Sequence, residues 1–279
     1  MNPRRSFFVL TTLAFGFAFL YVPILLMIAF SFNAGKLTTV WAGFSTHWYA
    51  ALLDNEQMLS ATALSLRIAA MTATGAVILG TVAGLVLARF GRFKGRTLLS
   101  GMTTAPLVMP EVITGLSLLL LFVALANLVG WPARRGVSTI TIAHITFAMA
   151  YVTVVVQSRL ATFEDALEEA AMDLGARPAK VFFVITLPII LPAIVSGWLL
   201  AFTLSWDDLV IASFVSGPGS TTLPMLIFSK VRLGVTPEIN ALATLMVTIV
   251  TIGIVVAAVW MQRQERARQR DVQLAQAAN

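Results

Sequence analysis

Six stretches of this chain are so long and so continuously apolar that they cannot have water as their solvent. They lie near 7–32, 60–88, 97–126, 138–158, 189–215 and 239–261. A helix rises about 1.5 Å per residue and a hydrocarbon core is about 30 Å thick, so roughly 20 apolar residues cross it. In lipid every backbone N–H and C=O must be paired within the structure, which leaves helices or closed barrels. These runs do not alternate, so a barrel is excluded. Composition agrees: 58% of the 279 residues are hydrophobic and 11% are charged, against about a quarter charged in soluble domains. The expectation is an all-α membrane protein, a single domain over 1–279 with six transmembrane helices. The basic start, "MNPRRSFF", resembles a signal sequence, but the run from Phe7 to Phe32 is longer than a signal's apolar core and reads as a retained first span.

Charge then orients the bundle. Thirteen Lys and Arg fall on the side holding both termini and the 89–96 and 159–180 connections, and five fall on the other side. That bias puts both termini in the cytoplasm. In this setting the net charge of +6 reads as orientation anchors and not as a nucleic-acid footprint. With no cysteine in the chain, disulfides and thiolate metal centres are excluded, and no metal site is expected. On the outer side, "WAGFSTHWYAALL" (41–53) reads as an interfacial helix anchored by Trp41, Trp48 and Tyr49. Thr222, ahead of Pro224, reads as the N-cap of a short outer helix within 219–238.

One cytoplasmic connection is unlike the rest. From Leu160, apolar residues recur at Phe163, Leu167, Ala170 or Ala171, and Leu174, one stripe of an amphipathic helix, with Glu164, Asp165, Glu168 and Asp173 mostly off it. Gly175 suits the left-handed C′ position that ends a helix, and Pro178 suits the first turn of the next. Small residues at 170 and 171 permit close approach to a partner's groove, and the acidic flank would orient on a basic rim. The alternative, a helix lying on lipid, fits poorly with an acidic face against an anionic leaflet.

This loop resembles the signature of permease subunits of bacterial ABC importers, in which Glu-Ala-Ala is followed by three residues, Gly, nine residues and Ile-x-Leu-Pro. Here those positions are Glu169, Ala170, Ala171, Gly175, Ile185, Leu187 and Pro188. The resemblance implies the type I importer permease fold, with a coupling helix at 169–175 seated on a separate ATPase subunit. It also implies a bacterial inner-membrane location and four partners: a second, homologous permease subunit, two ATPase subunits and a periplasmic binding protein. The chain has no G-x-x-x-x-G-K-[ST], and "GRFKGRT" has the wrong spacing. ATP and Mg²⁺ are therefore expected on the partner, and this chain is expected to be neither an enzyme nor a cofactor carrier. "TAPLVMPEVITGLSLLLLF", "SWDDLVIASFVSGPGSTTLPMLIFS" and "PEINALAT" make it most similar to polyamine importers of the putrescine type. Where that family has an aliphatic or phenyl residue before the paired aspartates, this chain has Trp206.

Charge inside the spans gives an independent argument. A charged residue at a helix centre costs about 2.5–3.5 kcal/mol on insertion scales and tends to mark a pathway. Arg67, Glu111, Asp207 and Asp208 fall within the expected spans. Three acids against one Arg favour an organic dication in the lumen. Trp206 offers an apolar face for its methylenes and a cation–π contact for an ammonium group. Neighbouring helical residues point about 100° apart, so Asp207 and Asp208 divide between a substrate and a neighbouring helix.

Several readings stay open. Arg67 and Glu111 are either pathway residues or a buried structural pair. Asp208 either meets substrate or caps a backbone break. His144 reads as a satisfied packing residue in preference to a proton relay. Gly80 and Gly84 form a close-packing pair. Pro106 and Pro110 break the third span beside Glu111, either exposing carbonyls to a cavity or only kinking the helix. Pro188 and Pro192 read as a hinge between coupling helix and pore. The competing functions are a permease for another small cationic or polar solute, and a membrane receptor or scaffold whose acidic loop binds a signalling partner.

Overall fold

The structure, a computed structural model, describes residues 3–37, 40–234, 236–253, 255 and 259. These residues are helical almost throughout. In order they form α1 (Pro3–Ser31), α2 (His47–Leu53), α3 (Glu56–Arg89), α4 (Arg96–Val108), α5 (Glu111–Val129), α6 (Val137–Ala161), α7 (Ala166–Asp173), α8 (Pro178–Val181), a π-helical turn (Phe182–Thr186), α9 (Leu187–Trp206), α10 (Val210–Val215) and α11 (Leu223–Leu233). A last apolar helix, α12, is described over Pro237–Gly253. Among the described residues five segments are long and apolar enough to cross a membrane: Phe8–Ser31, Glu56–Arg89, Glu111–Val129, Val137–Ala161 and Pro178–Trp206. The far end of the expected sixth span, 254–261, lies almost wholly outside the described residues.

Two spans expected to be continuous are broken, each for a chemical reason. The third, 97–126, divides into α4 and α5 at Met109, which is extended (φ −79°, ψ 135°). The ring of Pro110 excludes the residue before it from the helical region and supplies no N–H. Glu111 consequently opens α5. It was expected inside a span but stands at the end of one, where the helix dipole favours an acid. The fifth, 189–215, ends its long helix at Trp206 and resumes as α10.

Contacts group the chain into two compact units, residues 57–229 and residues 1–56 with 230–279, where the sequence reading has one domain. In the first, α6 is the central helix. It packs against α9, α4, α10 and α5 and contributes to two apolar clusters, one with Ile68, Phe122 and Ile211, the other with Ala73, Ala76 and Ile190. Two of its buried hydroxyls bond within its own helix, Thr141 to the Val137 carbonyl and Thr153 to that of Met149, and a third, Thr139, bonds the Val215 carbonyl of α10 at 2.7 Å. They therefore impose no unpaired donor on the apolar surroundings. Ser65 Oγ, from α3, accepts the Leu223 N–H at 2.8 Å. The first donor of α11 is thus capped by a neighbouring helix. Thr222, expected as the cap, has a buried hydroxyl with no hydrogen-bond partner among the described residues.

In the second unit, Asn33 organises the turn after α1. Its side-chain amide donates to the carbonyls of Leu37 and Val40 and accepts from the N–H groups of Gly35 and Ala42. The expected interfacial helix over 41–53 is helical only from His47. Trp48 donates to the Asn33 carbonyl at 2.7 Å, and Tyr49 bonds Ser31. Both aromatics hold local structure, while Trp41 and Leu53 remain exposed.

The glycine pair in α3 has a clear purpose. A Cβ on Gly80 would lie 2.7 Å from Val152 Cβ and 3.0 Å from the Met149 carbonyl, and one on Gly84 would lie 3.2 Å from the Thr153 carbonyl. These residues bring α3 into backbone contact with α6. Gly80→Ala should therefore destabilise the detergent-solubilised protein by about 1–3 kcal/mol. Gly101→Ala, whose Cβ meets nothing within 4 Å, should leave the thermal unfolding midpoint unchanged or slightly raised. Equal behaviour of the two variants would refute close packing at Gly80.

Candidate functional site

Two places carry the unusual chemistry: the elbow between α6 and α9, and the break after α9. The elbow does not begin at Leu160 as one continuous stripe. Helix α6 ends at Ala161, Thr162 closes it by bonding the Arg159 carbonyl, and α7 starts afresh at Ala166. Leu160 is buried in the core, whereas Leu167 and Leu174 are exposed, Leu174 by 90%. The apolar stripe is thus divided between an inner packing residue and an open face.

The end of α7 follows from local chemistry. Gly175 has φ +85°. Its N–H bonds the Met172 carbonyl at 2.8 Å, and the Ala176 N–H bonds that of Ala171 at 3.1 Å. This is the paired closure of a Schellman turn. Arg177 is extended and Pro178 opens α8, so the chain reverses within three residues. Glu169 and Ala170 are exposed on α7, and Ala171 is half-buried. Ala171, Leu174, Arg177, Lys180 and Ile185 line an open groove of about 540 Å³.

Above the elbow the helix widens. The Leu187 N–H bonds the Phe182 carbonyl, five residues back, closing the π turn. The widening lies directly before Pro188, whose ring would clash with the Val184 carbonyl in an unperturbed helix. Leu187 and Pro188 form the first turn of α9, and α9 continues through Pro192.

Sequence reasoning missed what holds the elbow. Arg89, the last residue of α3, lies 3.1 Å from Glu168 through Nε, pairs with Asp165 through Nη1, and has its guanidinium 5.4 Å from the centre of the Phe163 ring. Glu168 also accepts the Thr186 hydroxyl at 2.6 Å. Side-chain exposures of 14% for Arg89 and 15% for Glu168 keep this pair partly desolvated. Arg89, Glu168 and Thr186 therefore join α3, α7 and the π turn. Of the acids expected to face a partner's basic rim, Glu168 faces inward to Arg89, and Asp165 pairs with the same Arg89 while its side chain stays exposed. The signal that could have found this is the isolated Arg closing α3, with acids spaced three apart on the elbow.

At the second place, the break after α9, the paired aspartates have different surroundings. Asp208 is 7% exposed at its side chain. Its carboxylate accepts the N–H groups of Ile211 at 3.3 Å and Ala212 at 2.7 Å, two of the donors orphaned by the start of α10. His144 Nε2 lies 3.1 Å from the same carboxylate, and His144 Nδ1 lies 2.7 Å from Ser205 Oγ. Asp207 closes α9, its N–H bonding the Thr203 carbonyl, and its side chain has no such set of partners; the residue is exposed. Trp206 is half-buried and stacks on Phe202, ring centres 6.2 Å apart, which stacks in turn on Trp198 at 5.3 Å. Gly115 brings α5 against α10, where an added Cβ would lie 2.7 Å from Phe214. Arg67 and Glu111 are both exposed, and no ion pair joins them among the described residues. The buried-pair reading of these two is therefore corrected.

This geometry yields a stability test that separates the aspartates. Asp208→Ala orphans two N–H groups and a histidine, and should cost about 1–3 kcal/mol in thermal unfolding in detergent. Asp207→Ala should leave the midpoint within about 0.5 kcal/mol of the parent. A silent Asp208→Ala would contradict the cap.

Comparison with known proteins adds the following. The profile of the family described as "Binding-protein-dependent transport system inner membrane component" matches residues 80–270. The chain is 63% identical over 273 residues to the putrescine transport system permease protein PotI of Escherichia coli strain K12, covering 97% of this chain and 96% of that protein. It is 38% identical over 256 residues to the spermidine/putrescine transport system permease protein PotC of the same strain, covering 92% and 94%. Among solved structures it is similar to a bacterial ABC transporter involved in import of the acidic polysaccharide alginate, with TM-score 0.69, 15% identity, and coverage of 93% of this chain and 97% of that one. It is also similar to the MetNI methionine ABC transporter in inward-facing conformations, with TM-score 0.57, 16% identity, and coverage of 72% and 92%. At these identities the structural likeness speaks to fold alone.

Proposed function

Because the chain belongs to the family of binding-protein-dependent transport system inner membrane components, a permease and not an enzyme, we propose that it is the permease subunit of an ATP-driven polyamine importer, with putrescine as its principal substrate. The carrying observation is its likeness, over nearly the whole chain, to a putrescine permease. The loop from Glu169 to Pro188, with Gly175 at φ +85°, supports coupling to a separate ATPase that binds ATP and Mg²⁺. A second permease subunit, homologous to this one, and a periplasmic polyamine-binding protein complete the assembly. Both termini and the elbow face the cytoplasm, following the distribution of basic residues.

In this reading, closure of the ATPases moves α7. The motion reaches α9 through the Thr186–Glu168 bond and α3 through Arg89, and a cavity beside Trp206 and Asp207 opens alternately to the two sides. Glu111 adds negative charge along the route. The charge of Asp208 is engaged by α10 and His144, so Asp207 is the aspartate available to an ammonium group. Trp206, braced by Phe202, supplies a flat apolar face for the methylene chain.

Uptake of labelled putrescine by cells producing the complete transporter tests the substrate, with spermidine and unrelated cations as competitors. Putrescine should compete best, and displacement by an unrelated solute alone would replace it as the assigned substrate. Asp207→Asn should reduce putrescine uptake at least about tenfold at limiting substrate. Gly175→Val forces a β-branched residue into the left-handed region. It should abolish uptake and substrate-stimulated ATP hydrolysis while the chain still inserts in the membrane. Undiminished uptake in that variant would remove the coupling assignment.

A further inference from the structure

We infer that His144 is a positioning residue for transport: by holding Asp208 and Ser205 on either side of the helix break, it fixes the direction in which Asp207 is presented. The inference rests on the reading of Asp207 as the ammonium-binding aspartate.

An ionised Asp208 can only accept, and it already takes the Ile211 and Ala212 N–H groups. His144 Nε2, 3.1 Å away, must therefore carry the proton and donate it to the carboxylate. In the neutral imidazole Nδ1 then accepts, and its partner at 2.7 Å is the Ser205 hydroxyl. One ring, 2% exposed on the central helix α6, thus holds Ser205 in the last turn of α9 with one nitrogen and Asp208, whose carboxylate caps α10, with the other.

The residues between those two anchors are Trp206 and Asp207. The Asp207 N–H makes the last helical bond of α9, to the Thr203 carbonyl, and beyond it the chain leaves the helix, so the direction of the Asp207 side chain depends on how the flanking turns are fixed. Phe147, Ile211 and Ala212 form part of the buried apolar cluster beside the ring. Low polarity there strengthens each bond and raises the cost of losing one. A buried imidazole needs partners for its nitrogens in any role; what is particular here is that the two partners stand on opposite sides of the break, Ser205 before it and Asp208 after it.

The test uses the assembled transporter and measures the concentration dependence of putrescine uptake together with the amount of inserted protein. His144→Leu fills the space but removes both bonds. It should raise the KM for putrescine about tenfold, with Vmax per inserted complex changed much less. His144→Gln keeps an N–H donor and a carbonyl acceptor, and should restore KM to near the parent value.

A variant His144→Leu that lowers only the amount of protein, with an unchanged KM, would overturn the inference. So would a His144→Gln as impaired as His144→Leu. A second measurement needs no substrate. The chain contains no cysteine, so Asp207→Cys creates a unique thiol whose reaction rate with a membrane-impermeant maleimide reports its direction. Adding His144→Leu should change that rate several-fold, and adding His144→Gln should not; an equal rate in all three backgrounds would refute the positional claim. If the unsubstituted complex takes up no polyamine, the substrate reading fails, and the maleimide rates alone decide the role of His144.

Discussion

A backbone group that loses its helical partner in apolar surroundings must find another, because no water is present to take its place. That requirement accounts for most of what is distinctive in this protein. Where α10 starts, two freed N–H groups are taken by the Asp208 carboxylate. Where α11 starts, Ser65 from α3 takes the Leu223 N–H. At the exposed end of α7, where water could serve, the turn is instead set by Gly175, whose left-handed backbone brings its own N–H and that of Ala176 back onto the helix. Each interruption of a helix is thereby made into a defined joint, and the joints lie beside the residues with functional chemistry.

The two candidate places are mechanically continuous. The elbow is tied to α3 by Arg89 and to the π turn by Glu168 and Thr186, and the π turn runs directly into α9. Helix α9 ends at Trp206, beside Asp207. On the proposed coupling role, a displacement of α7 would reach the base of the helix whose far end carries the candidate substrate residues. The central helix α6 packs along α9 and, through His144, holds that far end. Interior packing at near-crystalline density transmits such displacements with little loss.

Much of this was legible in the sequence, and the reasons are local. Gly175 and Pro178 announce a reversal because few residues tolerate those backbone positions. The Glu169–Pro188 pattern marks the connection between α6 and α9 that the structure forms as an elbow. Gly80 and Gly84 indicate a close helix contact. Less legible were residues whose meaning depends on a distant partner. Arg89 looked like one more orientation charge, yet it is the clasp of the elbow. Glu168 looked like a partner-facing acid, yet it faces inward. Thr222 had the right residue type for a cap, but a serine more than 150 positions away holds the site.

The sequence by itself determined a helical membrane protein, the bounds of its first, second and fourth spans to within a few residues, the site of the elbow and a short set of candidate acids. Those follow from the length of a bilayer crossing and from backbone preferences that each residue carries with it. Only the tertiary structure distinguished Asp207 from Asp208, divided the third span at Met109, and paired His144 with two helices at once. Such outcomes turn on which donor meets which acceptor across 60 or more residues of chain, and no local pattern encodes that meeting.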